Sequence, residues 1–94
     1  MKREKYRSRV EIIVDVLRAI EDERGDQRLT HIQSRANIPY TRLVSLLEEL
    51  ERIEFISRRG EEEKKVYMVT QKGRKYIKEY EKFRKLSQAF GLKV

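Results

Sequence analysis

The sequence has no cysteine and no tryptophan, and only one histidine, one proline and four glycines in 94 residues. Without cysteine there is no disulfide framework and no thiolate-ligated metal site. No apolar run approaches the roughly 18–20 residues needed to cross a bilayer. The start MKREKYRSRV is basic, but Glu11, Asp15 and Arg18 interrupt the apolar positions that follow, which excludes a secretory signal core. The protein is expected to stay in the compartment where it is made. His31 has no second imidazole and no acidic residue at ligand spacing, so neither metal binding nor acid–base catalysis is expected of it. Glu61, Glu62 and Glu63 lack the spacing of a calcium loop. There is no phosphate-binding glycine loop, nucleophile elbow or pair of catalytic carboxylates. The expectation is a protein that is not an enzyme and that carries no cofactor and no metal.

Charge is abundant instead. Lysine and arginine number 23 against 16 acids, a net charge of +7, and 41% of the chain is charged. The length allows one domain with a modest core. The basic balance points to a polyanionic partner, with simple solubility as the bland alternative. Abundant Glu, Lys and Arg without Cys is also the balance of thermophile proteins, although small mesophilic proteins share it.

Apolar periodicity divides the chain. Tyr6, Val10, Ile13, Leu17 and Ile20 recur at steps of three and four, which predicts an amphipathic first helix from Tyr6 to about Arg24, closed by Gly25. Leu29 is a candidate for a strand of one to three residues. Thr30 and Gln33 have capping-box spacing, which predicts a second helix from about His31 to Ala36, ended by a left-handed Asn37. Pro39 presets the start of a third helix, with Leu43, Leu46, Leu47, Leu50 and Ile53 facing inward. Two helices joined so closely, the second with a polar leading edge, make a helix-turn-helix. EFISRR and KKVYMVT, separated by GEEE, then read as a two-stranded hairpin with Phe55, Val66 and Met68 or their neighbours facing the core. The expected fold is mainly α with a small β-hairpin, a winged helix-turn-helix over residues 1–70.

Thr70 is a candidate N-cap for a long final helix running to about Phe90, where Gly91 ends it, so that residues 71–94 form a C-terminal coiled-coil segment. Positions 73, 76, 80, 83, 87 and 90 follow the alternating three- and four-residue steps of a coiled-coil seam. The occupants after Gly73 are Tyr76, Tyr80, Phe83, Ser87 and Phe90, with Ile77 and Leu86 alongside. A helix of about 20 residues spans about 30 Å, longer than so small a body requires. A homodimer is therefore expected, with Tyr76, Ile77, Tyr80, Phe83, Ser87 and Phe90 at its interface. The alternative is packing along the first helix. The short seam leaves coil orientation open.

Positive charge is unevenly placed. Residues 1–9 carry +4, residues 58–75 carry +4 and residues 78–93 carry +3, whereas residues 11–30 carry −3 and residues 40–54 carry −2. One face toward phosphate and another away from it would produce this partition. Candidate DNA contacts are Tyr40, Thr41, Arg42 and Ser45 at the tip of recognition helix 40–52, Ser34 and Arg35 as backbone clamps, and Arg58, Arg59, Lys64 and Lys65 on a basic wing, 57–66. The leading turns of a recognition helix do most base reading, so the acids from Glu48 onward are expected to stay off DNA. Solvated helix-end and hairpin charges are the plain alternative. A different class of reading is a winged-helix protein–protein interaction module that uses the acidic third helix, with Glu48 and Glu49, and the terminal coil.

With these landmarks in place, the chain resembles a family of small archaeal winged-helix proteins of roughly ten kilodaltons that are chromatin-associated, bind DNA and dimerise through a C-terminal antiparallel coiled coil. The resemblance rests on YRSRVEIIVDVLRAI, IQSRANIPYTRLVSLLEELERIEFI and VYMVTQKGRKYIKEYEKF, in that order over nearly the whole chain. The threonine that ends the second strand, with Gly73 three residues on, is a common winged-helix signature, while the likeness to this particular family rests more on the long terminal helix and the total length. The resemblance implies a homodimer on double-stranded DNA, in an architectural role or as a transcription regulator, with a cytoplasmic, nucleoid-associated location. The chain departs from the pattern at Glu54, where such proteins usually have glycine, and in the acids Glu48, Glu49 and Glu51.

Overall fold

The computed structural model describes residues 7–22, 28–61 and 65–93. Its elements are α1 (Arg9–Ile20), α2 (Leu29–Ala36), α3 (Tyr40–Arg52), β1 (Ile56–Arg59), β2 (Val66–Val69) and α4 (Gln71–Ala89). This is the winged helix expected from the sequence: three helices, an antiparallel two-stranded wing and a long terminal helix.

Helix α1 is shorter than its periodicity suggests, because Ser8 caps it. The Ser8 hydroxyl accepts from the Glu11 amide (3.1 Å), and the Glu11 carboxylate accepts from the Ser8 amide (2.8 Å), a reciprocal capping box. Tyr6, Arg24 and Gly25 lie outside the described residues. The buried face of α1 is broad, comprising Ile12, Val14, Val16, Leu17, Ala19 and Ile20, because α2, β2 and α4 all pack on it. Val10, expected inside, is exposed.

Two local expectations fail at α2. Leu29 is the first residue of the helix and forms no strand, and Arg28, not a capping threonine, occupies the N-cap without a side-chain hydrogen bond. Leu29 packs partly on the core, and that burial draws the helix start forward past Thr30. Asn37 does end α2 in the left-handed conformation, at φ 55°, with its amide on the Gln33 carbonyl (2.8 Å).

Leu43, Leu46, Leu47 and Leu50 of α3 are buried as expected, but Ile53 is the C-cap residue and remains 40% exposed. The helix closes with a Schellman turn: the Phe55 amide donates to the Leu50 carbonyl (2.9 Å) and the Glu54 amide to that of Glu51 (3.0 Å). Glu54 therefore takes the glycine conformation, φ 65°, without being glycine. A side chain in that region costs about 1–2 kcal/mol. Glycine's greater freedom in the unfolded chain offsets part of the gain from relieving this. Glu54→Gly is expected to stabilise the protein by about 0.5–1 kcal/mol, read as a thermal midpoint raised by a few degrees.

In the wing, Ile56 pairs with Val69 and Arg59 with Val66. The neighbours Ile56, Tyr67 and Val69 are the buried set, while Phe55, Val66 and Met68 are half-buried. Thr70 caps α4 by accepting from the Gly73 amide (3.1 Å) and donates its own hydroxyl hydrogen to the Glu54 carbonyl (2.6 Å). One side chain thus joins the end of α3 to the start of the terminal helix.

Candidate nucleic-acid interface

Four buried leucines fix the orientation of α3. With Leu43, Leu46, Leu47 and Leu50 inward, helical periodicity puts Thr41, Ser45, Glu48 and Arg52 on the opposite face, with Arg42 beside them. All five are exposed, and Tyr40 at the helix start is 52% exposed. Tyr40, Thr41, Arg42 and Ser45 thus form one accessible surface at the leading end of the helix. Arg42 makes no hydrogen bond or ion pair among the described residues. Arg42 and Ser45 also border a cleft shared with Arg9, Ile12, Ile13 and Glu49.

Other expected contacts are already engaged. Arg35 pairs with the nearly buried Asp22 carboxylate, which also lies 3.4 Å from His31 Nε2. Ser34, one residue earlier on α2, is exposed. On the wing, Arg58 and Arg59 point to opposite faces of the ribbon, as adjacent strand residues do. Arg58 shares the face of Ile56 and pairs with Glu51 of α3 (3.4 Å). Arg59 is exposed and has no partner among the described residues. Lys65 is half-buried and engaged, and Lys64 lies outside the described residues.

The N-terminal arm contributes less free charge than its sequence suggests. Arg7 donates to the carbonyls of Ala36 (2.9 Å) and Asn37 (2.8 Å) and pairs with Asp15 (2.8 Å). It satisfies the open end of α2 and steadies the turn into α3. Arg9 donates to both oxygens of Glu49 (2.5 and 2.6 Å). Reading the sequence overlooked these roles, and it overlooked Arg52, which period alone would have aligned with Thr41 and Ser45.

Helix α4 changes character along its length. Gly73 is buried, and Tyr76 and Ile77 pack on the core, Tyr76 with its ring centroid 4.9 Å from that of Phe55. Arg18 pairs with Glu81, and Arg74 with Glu21 (3.4 Å), tying α4 to α1. Farther along, Phe83 is 55% exposed and Phe90 76%, with Leu86 and Leu92 also exposed. Ser87 is buried where the helix closes in a second Schellman turn, its carbonyl accepting from the Leu92 amide (2.8 Å) and Gly91 at φ 83°. Of the expected seam, Tyr80, which is half-buried, lies at the transition.

Among the described residues no group of His, Asp or Glu side chains could hold a metal ion, and no helix is long and apolar enough to cross a membrane.

A sequence profile of winged helix-turn-helix proteins matches residues 6–88. No curated protein matches the chain in sequence. Among solved structures the chain is similar to the crystal structure of Sso10a-2, a DNA-binding protein from Sulfolobus solfataricus. The TM-score is 0.76 at 26% identity, covering 89% of this chain and 85% of that one. Profile and structure together bear out the resemblance to small archaeal winged-helix DNA-binding proteins.

Proposed function

Because the chain belongs to the winged helix-turn-helix family, we propose that it binds double-stranded DNA as a homodimer, without catalysis, in an architectural rather than an operator-reading role. The observation that carries this reading is the leading face of α3. Thr41, Arg42 and Ser45 stand exposed above a row of buried leucines, and Arg42 has no partner among the described residues. Arg59 adds an exposed cation on the wing. The likeness to Sso10a-2, a DNA-binding protein, supports the same partner.

Dimerisation is supported by the outer half of α4, where Phe83, Leu86 and Phe90 leave apolar surface uncovered that a second copy would bury. The architectural role is supported by the small number of base-reading side chains, since phosphate contacts position a protein without reading sequence. A protein-interaction module built on the acids of α3 has less support, because Glu49 and Glu51 are each held by an arginine of the same chain.

Arg42→Ala and Arg59→Ala test the reading in titrations of a random-sequence duplex across a salt series. Removing Arg59 is expected to lower affinity uniformly across sequences and to reduce the log–log salt slope by about 0.9, one phosphate contact. Arg42→Ala is expected to cost about 1–3 kcal/mol. If both variants bind like the wild type, this surface is not the interface.

A further inference from the structure

The three carboxylates in the rear half of α3 are not equivalent. Glu49 is clamped by Arg9 through both of its oxygens, and Glu51 is paired with Arg58 of the wing. These two acids lie on the flanks of the helix and are half-buried. Glu48 has neither arrangement. It is exposed, has no hydrogen bond or ion pair among the described residues, and shares the outward stripe with Thr41, Ser45 and Arg52. It stands one turn beyond Ser45, about 4.5 Å further along the axis. A helix that sets Thr41 and Ser45 against base edges therefore brings the Glu48 carboxylate to the groove as well.

That carboxylate can only accept hydrogen bonds. Phosphate oxygens repel it, and the guanine and thymine edges of the major groove present acceptors. The exocyclic amines are the available donors, and the cytosine N4 amine suits a carboxylate, whereas adenine presents its amine beside an acceptor nitrogen. A charge desolvated without a donor is costly. Resting on the DNA-binding reading above, we propose that Glu48 is a specificity-determining residue that adds a one-base bias to otherwise architectural binding: it accepts from a cytosine N4 amine in the major groove and weakens, without preventing, insertion of α3 at sites lacking one. The neutralised neighbours Glu49 and Glu51 make this filter local, because the rest of the helix no longer repels the backbone.

The test uses the full chain and the variants Glu48→Gln and Glu48→Ala. Each protein selects duplexes from a random pool, and each is titrated against an unselected random duplex. Neither substitution touches a buried contact, and glutamine keeps the helix propensity of glutamate, so thermal melts report whether the fold is retained. Wild-type selection is expected to enrich cytosine at one fixed position of each half-site. Glu48→Gln is expected to move that preference toward adenine, which glutamine can bond at N6 and N7, and both variants to bind the random duplex about tenfold more tightly, the scale of one base contact. Wild-type binding with no cytosine preference, or variants that select and bind as the wild type does, would overturn the assignment while leaving the DNA-binding reading intact. Wild-type protein that binds no duplex at all would overturn that reading and this proposal together.

Discussion

Gly73→Ala is expected to destabilise the protein by about 2 kcal/mol. A Cβ at this position would lie 2.3 Å from the Phe55 carbonyl oxygen and 2.8 Å from Val69 Cγ1. The oxygen belongs to the backbone and accepts the Thr70 amide (2.9 Å), so it cannot rotate aside as a side chain could. Overpacking of this kind costs about 1–3 kcal/mol, and a contact this short belongs at the upper end. Alanine returns about 1 kcal/mol of helix propensity. At 4–8 °C per kcal/mol for a domain of this size, the net loss lowers the thermal midpoint by roughly 8–16 °C. Lys78→Ala, on the exposed side of the same helix, serves as the control and should leave the melt nearly unchanged. An unaltered midpoint for Gly73→Ala would mean that α4 does not seat on the wing as described.

The second large effect concerns assembly. Phe83→Asp combined with Phe90→Asp is expected to convert the protein from dimer to monomer in sedimentation analysis, with the winged helix still folded. Both rings project from the part of α4 that the core does not cover, so little intramolecular packing is lost. Two linked DNA-binding units gain about 10²–10⁴ in apparent affinity over one when both engage, and the double variant should lose a factor in that range on a duplex long enough for two. A variant that stays dimeric would place the interface elsewhere. A monomeric variant with undiminished affinity would show that one unit suffices.

Much of this architecture is legible in the sequence because the periods are strong. The leucines of α3 mark a helix and its inner face, and the change of period after Arg52 marks the wing. Asn37, Thr70 and Gly91 act where their conformational preferences put them. What period cannot convey is competition. Leu29 and Thr30 sit at positions where a short strand and a capping box are both plausible locally, yet burial of Leu29 makes it the first helical residue. Val10 satisfies the helical stripe but falls where no other element covers it.

The candidate interface divides in the same way. That Tyr40, Thr41, Arg42 and Ser45 share one exposed surface follows from period and chemistry together. The ion pairs are not, because they join residues far apart in the chain, Arg9 to Glu49 and Arg58 to Glu51. They show which charges are spent internally, something segmental net charge cannot reveal. Likewise the final helix reads as one continuous seam, while in three dimensions Tyr76 and Ile77 serve the core and Phe83 and Phe90 remain exposed.

The most direct test of the central claim is binding of the purified protein to a random-sequence duplex across a salt series. DNA binding through the exposed cations of α3 and the wing in both copies predicts an affinity that falls linearly on log–log axes with a slope of several units, each phosphate contact contributing about 0.9. No binding at low salt, or binding insensitive to salt, would contradict it.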